Sequence, residues 1–287
     1  MHVRPNLYAY LEIMRDEEDF HWIFIDAICI NQQDLEERSA QVSLMGSLYQ
    51  SVTVVIAWLG EPKALLPGYW KAAQEICDAT DEALDLMKPR DSLINHRRSQ
   101  DFLQVFLTSE HWSRLWIVQE IATAQRVLFR CGLLELAEAR LLLFVSASFA
   151  ALKDKKRVDL SYFADFDKRA NQHDRDYVCY SLLQQRSDQL ENGSGFQPRH
   201  ITDVLGSYAL QQCIVGRDRI YGLLSLTTSL CKVDHSAASI DVFLQILAEN
   251  LLEEPLGVDR DKSNLLFQAY EPPESYVAIS GSIHGSA

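Results

Sequence analysis

Apolar and polar positions alternate in blocks over the first sixty residues. Residues 22–30 (WIFIDAICI) and 52–59 (VTVVIAWL) are nearly continuous apolar runs rich in β-branched side chains, which predicts two buried strands. Between them, apolar positions recur at helical spacing from 35 to 49, with Asn31 or Asp34 as the candidate N-cap. Two apolar strands joined by a helix predict a βαβ unit, the seed of a parallel sheet.

The rest of the chain reads as helices with one further strand. Three regions follow from this pattern: an α/β domain over 1–152, a helical part over 153–254 and a poorly ordered tail over 255–287. The pattern predicts helices over 4–18, 62–90, 113–125, 133–152, 160–190, 201–213 and 233–254, and a strand over 126–131 that ends at Gly132.

Charge and cysteine usage narrow the function classes. The chain has 287 residues with 27 Lys+Arg against 40 Asp+Glu, a net charge of -13. This excess of acid argues against nucleic acid or an anionic membrane as a partner, because both bind basic surfaces. Six scattered cysteines without a CxxC pair predict reduced thiols and a cytoplasmic protein. No apolar run has the length of a membrane helix.

Familiar catalytic and cofactor motifs are missing from the sequence. There is no glycine-rich phosphate loop, no HExxH metal spacing and no GxSxG elbow, so we expect no metal, no bound cofactor and no serine hydrolase. His235 has no partner at a recognisable spacing and reads as a surface or capping residue.

Three dense motifs carry a family resemblance. Their matching positions are Asp26, Cys29, Ile30, Asn31, Gln32, Asp34, Glu37, Arg38, Gln41, Met45, Tyr49, Trp58, Leu59 and Gly60, then Trp112, Arg114, Trp116, Gln119, Glu120, Cys131 and Gly132, then Arg217, Asp218, Tyr221, Leu223, Leu224 and Leu226. Together they resemble the signature blocks of the fungal heterokaryon incompatibility (HET) domain family. That family opens with a strand that this sequence lacks, and residues 276–280 (YVAIS) are a weak candidate to replace it.

The resemblance implies a fold and a chemistry. HET domains resemble TIR domains, which implies an α/β fold with a TIR-like (flavodoxin-like) parallel sheet flanked by helices and a mostly helical C-terminal part. In TIR-type enzymes a Trp-x-x-x-Glu pattern supplies the glutamate that cleaves the nicotinamide–ribose bond of NAD. Trp116 and Glu120 match this pattern, so Glu120 is the candidate catalytic residue and NAD the candidate substrate. The candidate substrate-binding residues are Asp26, Arg38, Trp58, Arg114 and Trp116.

Each candidate also has a structural interpretation. Glu120 can pair with Arg114 or Arg126 on the helix surface, and Arg38 can pair with Asp34 one turn away. Asp26 can anchor the end of its strand through hydrogen bonds to the next turn. The tryptophans can belong to the core, and Arg217 with Asp218 can brace the C-terminal helices.

The resemblance therefore predicts a HET-domain protein of fungal non-self recognition and regulated cell death, acting through NAD hydrolysis. It implies self-association and other signalling domains as partners. Two alternatives remain open at this point: a non-enzymatic, self-associating signalling adaptor, and a truncated, inactive paralogue.

Overall fold

The structure of the chain is a computed structural model. The structure describes residues 4–16, 22–61, 67–79, 101–107, 109–153, 170–191, 193, 196–208 and 211–253. Within these ranges the chain is mixed α/β and mostly helical, with one small sheet. Parts of the predictions lie outside these ranges: residues 17–18, 62–66, 80–90, 160–169, 209–210 and 254 of the predicted helices, and the whole tail 255–287, which includes the segment 276–280.

Helices and strands are numbered here in chain order. They are α1 (Pro5–Asp16), α2 (Asp26–Cys29), α3 (Leu35–Ser51), β1 (Val55–Trp58), α4 (Pro67–Cys77), α5 (101–107), a 3-10 turn (Glu110–Ser113), α6 (Ile117–Thr123), β2 (Val127–Cys131), β3 (Leu134–Ala137), α7 (Glu138–Lys153), α8 (Ala170–Glu191), α9 (Ile201–Ser207), α10 (Asp218–Tyr221), a second 3-10 turn (Leu224–Leu226) and α11 (Ser239–Glu253).

The chain divides into two compact units. The first comprises Met1–Ile25 and Ser47–Gln197, and it holds the sheet. The second comprises Asp26–Gly46 and Pro198–Ala287, and its described part is helical with connecting turns. The units are therefore not consecutive in sequence, because a segment near residue 26 groups with residues beyond 197.

The sheet of the first unit has three strands in the order β1-β2-β3. β1 pairs with β2 in parallel, and β2 pairs with β3 antiparallel. Gly132 opens the two-residue loop between β2 and β3 with a φ of 56°, a backbone conformation that glycine adopts without strain. The expected parallel arrangement thus holds for β1 and β2 only.

Strand β3 replaces the start of the helix predicted over 133–152. Its side chains alternate between buried Leu134 and Leu136 and exposed Glu135 and Ala137. Four residues are too few for period-2 alternation to stand out from the apolar helix that follows. The pairing with β2 decides the strand, because the tight turn at Gly132 directs the chain back along its neighbour.

A group of aromatic side chains lies in the core of the first unit. Trp112 is fully buried, donates its indole N–H to the Phe106 carbonyl at 2.8 Å and packs 5.3 Å from the Phe129 ring. Phe102 joins this layer to α7, with its ring 4.9 Å from that of Phe144. These contacts pack β2, α5 and α7 against one another.

The predicted strand over 22–30 is wrong. Trp22–Ile25 has no regular structure, and the Trp22 side chain is fully exposed. From Asp26 the chain forms the short helix α2: Oδ1 of Asp26 accepts from the Ala27 N–H at 2.7 Å, and its carbonyl accepts from the Ile30 N–H at 3.1 Å. An aspartate in the middle of the run offers these local hydrogen bonds in place of a strand ladder.

The helix and strand that follow are confirmed as α3 and β1. Asp34 is the N-cap of α3, since its Oδ1 accepts from the N–H groups of Glu36 and Glu37, both at 3.0 Å. The Glu37 carboxylate in turn accepts from the Asn31 N–H at 3.0 Å. Asp34 thus caps α3, and Glu37 in the first turn of the helix holds the loop that precedes it.

Candidate functional site

Glu120 lies on α6, in the first unit. Glu120 is half-buried, whereas the other six residues of Ile117–Thr123 are fully buried. The other six residues of α6 pack inside the unit, and α6 contacts α8 and β1. The sequence thus presents a single carboxylate on an otherwise buried helix.

The buried guanidinium of Arg186 holds the C-terminal end of α6. Arg186 lies on α8 and is 4% exposed. It donates to the carbonyl of Ile121 at 3.2 Å, to that of Ala124, and to that of Gln125 at 2.8 Å. These carbonyls lie at the end of the helix, where no intrahelical donor is available.

Glu138 neutralises this guanidinium. Its Oε2 accepts from Nε of Arg186 at 2.7 Å, and the Glu138 side chain is 22% exposed. The position of α6, and so of Glu120, therefore depends on a buried ion pair that no sequence motif indicated.

The other first-unit candidates differ in burial. Arg114 is exposed, whereas Trp116 is half-buried at the N-cap of α6. Trp58 in β1 donates its indole N–H to the Asn6 carbonyl at 2.9 Å, and its ring lies 5.4 Å from that of Tyr10. The Trp58 ring is thus already in contact with α1.

Asp26 and Arg38 belong to the second unit. Asp26 is exposed and makes the contacts of α2 described above. Arg38 does not pair with Asp34: its Nη2 lies 3.3 Å from Oδ2 of Asp218, 180 residues further along the chain. Two of the three sequence motifs are therefore joined by an ion pair.

His235 and Ser39 extend this ion pair into a cluster. His235 is 1% exposed, which corrects its reading as a surface or capping residue. Its backbone N–H donates to Oγ of Ser39 at 2.9 Å, and its ring Nδ1 lies 3.1 Å from the same oxygen. The side-chain cluster of Arg38, Ser39, Asp218 and His235 is called the second-unit polar cluster below.

The contacts of Ser39 show which nitrogen of the His235 ring carries the proton: it is Nδ1. The Ser39 hydroxyl donates its single hydrogen to the Leu35 carbonyl at 2.6 Å, so its oxygen accepts from Nδ1–H. Nε2 is then an acceptor, and it lies 3.9 Å from Oδ1 of Asp218, another acceptor. Neither atom has a hydrogen-bond partner within the described ranges. At 3.9 Å the two atoms are too far apart to share a hydrogen bond.

The electrostatics of the cluster keep His235 neutral. Burial lowers the pKa of His235 to about 4, and the nearby Arg38 and Arg217 guanidiniums act in the same direction, against a smaller opposite effect of Asp234. Burial raises the pKa of Asp218, although Arg38 and Arg217 oppose that shift. The ring of Tyr221 packs edge-on against that of His235, with the ring centroids 5.4 Å apart.

We expect acid to destabilise the second unit through His235. The unfolded chain binds a proton near the ordinary histidine pKa of about 6.5, whereas folded His235 binds it only near 4. Stability is therefore lost as the pH falls from about 6.5 towards 4. At pH 5, protonation of His235 in the unfolded chain lowers the free energy of unfolding by about 2 kcal/mol relative to neutral pH. Asp218 offsets part of this loss, because a raised pKa in the folded state stabilises the folded chain as the pH falls.

Chemical denaturation at pH 7 and pH 5 measures this effect. His235→Gln should be less stable at pH 7 but should lose less stability between the two pH values than the wild type. His200→Gln, a less buried histidine of the same unit, serves as the control and should keep the wild-type loss. An unchanged pH dependence in His235→Gln would contradict the assignment.

The residues that the sequence missed are Ser39, His235 and Arg186. Arg38 and Asp218 both occupy motif positions, so their pairing was accessible in principle as a contact between motifs. Ser39, the hydrogen-bond partner of His235, lies 196 residues away, a separation that no spacing rule detects. Among the described residues, no three His, Cys, Asp or Glu side chains are grouped closely enough to hold a metal ion.

The described part of the chain is thus mixed α/β and mostly helical, with a three-stranded mixed sheet in its first unit. Residues 1–120 match the family model described as heterokaryon incompatibility protein (HET). The chain is also 32% identical over 138 residues to the Neurospora crassa protein named heterokaryon incompatibility protein 6, OR allele. That similarity covers 38% of this chain and 20% of the relative, so the match spans about a fifth of the relative's length. No solved structure matches the chain.

Proposed function

We propose that this chain acts in fungal heterokaryon incompatibility, as a cytoplasmic protein of non-self recognition and regulated cell death, and that it cleaves NAD through Glu120. The HET match over residues 1–120 and the named Neurospora relative support the biological role. The observation that carries the chemistry is the placement of Glu120 as the unburied residue of α6, within the Trp116–Glu120 pattern shared with TIR-type enzymes.

The proposed reaction needs few catalytic groups. The C–N bond between ribose and nicotinamide breaks, and its electron pair leaves on the nicotinamide nitrogen, which was cationic and becomes neutral. Water then adds to the ribose carbon and releases one proton. The transition state carries positive charge on the ribose, so one oriented carboxylate stabilises it electrostatically. In this proposal, Glu120 supplies that carboxylate.

The expected result is nicotinamide release from NAD by the purified full chain. Glu120→Gln keeps the shape of the side chain and removes its charge, so release should fall about 100-fold or more. Glu36→Gln, an exposed glutamate in the first turn of α3, is the matched control and should keep the wild-type rate. Equal release from the wild type and Glu120→Gln would rule out the proposed chemistry.

A non-enzymatic adaptor is the second candidate. The exposed apolar side chains of Trp22, Ile23 and Phe24 favour it, because such a patch marks a protein contact more often than an active site. Cell death on expression that persists in Glu120→Gln would support the adaptor. Death that is lost in Glu120→Gln and kept in Glu36→Gln would support the enzyme.

No helix in the described part of the chain combines the length and apolarity needed to cross a membrane.

A further inference from the structure

Three buried polar atoms lie in or next to the second-unit polar cluster and make no hydrogen bond. They are Nε2 of His235, Oδ1 of Asp218 and Nε of Arg217, and none has a partner among the residues that the structure describes. His235 is 1% exposed and Asp218 is 6% exposed. A buried polar atom without a partner has lost its hydrogen bonds to solvent at a cost, so we expect a ligand that satisfies these three atoms.

His235 and Asp218 present two acceptors to each other. Nδ1 carries the ring proton of His235, so Nε2 offers a lone pair. Oδ1 belongs to the carboxylate that contacts Arg38 through its other oxygen. Nε2 and Oδ1 lie 3.9 Å apart, and an oxygen about 2.8 Å from both would see them at an angle of about 90°. A single molecule with two O–H bonds can therefore donate to both.

Arg217 supplies a donor beside these acceptors. It precedes Asp218 in the chain, and its backbone N–H and Nη1 donate to Oγ of Ser239 at 3.2 Å and to the carbonyl of Ala237 at 2.8 Å. Its guanidinium is close enough to act on both Asp218 and His235, in each case towards a lower pKa. Nε–H of Arg217 is left as a buried donor, so the site offers two acceptors and one donor.

This set of atoms selects water among small ligands. A water molecule has two hydrogens and two lone pairs, so it can donate twice and still accept. A hydroxyl group has a single hydrogen and a simple anion has none, so either would leave an acceptor unsatisfied. A cation would be repelled by the guanidiniums of Arg38 and Arg217, and no three described His, Cys, Asp or Glu side chains are close enough to ligate a metal.

We propose that the second-unit polar cluster holds one buried water molecule, which donates to Nε2 of His235 and to Oδ1 of Asp218 and accepts from Nε–H of Arg217. About three hydrogen bonds are typical of a buried water, and such waters are costly to remove. His235 is bonded to Ser39, in the other of the two chain segments that form this unit, so the water completes the contact between them. The inference is independent of the proposed NAD cleavage, because Glu120 plays no part in it.

A crystal structure of the full chain tests the site directly. We expect one isolated density peak of the size of a water within about 3.2 Å of Nε2 of His235, Oδ1 of Asp218 and Nε of Arg217. Nitrogen-15 spectra of the histidine rings give a second measure that needs no substitution. Nε2 of His235 should resonate as a hydrogen-bonded acceptor, at a lower frequency than a bare one.

Oxygen-17 relaxation dispersion tests the same site in solution, because it counts waters that stay long enough to tumble with the protein. His235→Leu removes an acceptor of the proposed water, so the variant should lose a single long-lived water. His200→Leu makes the same change at a less buried histidine of the second unit and should keep the wild-type count.

Four results would overturn the proposal. Nε2 and Oδ1 in direct contact would leave no place for the water, and a bare Nε2 without nearby density would show an unfilled site. Density that belongs to an ion would assign another ligand. A count of long-lived waters that His235→Leu leaves unchanged would place those waters elsewhere. None of these measurements uses NAD or cell death, so failure here is distinct from failure of the proposed function.

Discussion

Replacing Arg186 by methionine should lower the free energy of unfolding of the first unit by about 3–5 kcal/mol. Methionine matches the apolar stem of arginine but removes the guanidinium. The carbonyls of Ile121, Ala124 and Gln125 would lose their donor, and the Glu138 carboxylate would be left partly buried without its cation. A buried ion pair that loses one partner costs more than the pair contributes, because the remaining charge is desolvated.

Denaturant unfolding of Arg186→Met, Glu138→Gln and the double variant measures this effect. The double variant should lose less stability than the sum of the single variants, since no uncompensated carboxylate remains. Arg186→Lys keeps the charge but not the planar fork that reaches several carbonyls, so we expect an intermediate loss. Arg126→Met removes an exposed arginine close to the same end of α6 and should change stability by about 0.5 kcal/mol or less. An equally small change in Arg186→Met would contradict the role of its guanidinium.

The second large effect is expected at Gly46, where α3 meets the 3-10 turn Leu224–Leu226. A Cβ at Gly46 would lie 2.4 Å from Cβ of Ser225 and 3.3 Å from its Oγ. Cβ is fixed to the backbone and cannot rotate away, so the two elements must separate. Gly46→Ala should therefore destabilise the second unit by about 1–3 kcal/mol, despite the better helix propensity of alanine.

Two further variants separate this contact from a general effect of the substitution. Ser225→Gly leaves only its Cα, which lies 3.6 Å from the added Cβ, so Gly46→Ala should cost less in that background. Gly216→Ala is the matched control: its added Cβ would lie 3.5 Å from Ser239, an ordinary contact, and it should be nearly neutral. The measurement is the unfolding midpoint of Gly46→Ala, Ser225→Gly, the double variant and Gly216→Ala. A Gly46→Ala protein as stable as Gly216→Ala would show that the contact relaxes freely.

Residues of the candidate site could be predicted only where a local sequence pattern indicated them. The Trp116–Glu120 spacing placed Glu120 on a helix, and the structure gives that helix as α6. The pairing of Arg38 with Asp218 was not predicted, because the nearby Asp34 was the better local partner. In the structure Asp34 is occupied as the N-cap of α3, which leaves Arg38 to the distant carboxylate.

The amino-acid sequence by itself determined α1, α3, β1 and β2, together with the motifs that resemble the HET family. These features depend on neighbours within a few residues: capping side chains, β-branched runs and apolar positions at helical spacing. Only the tertiary structure decided three others: strand β3, the exposed conformation of Trp22–Ile25 and the second-unit polar cluster. Each depends on whether a partner distant in sequence is present to complete the hydrogen bonds. A strand forms where a neighbour pairs with it, and a buried polar side chain is stable where a partner satisfies it.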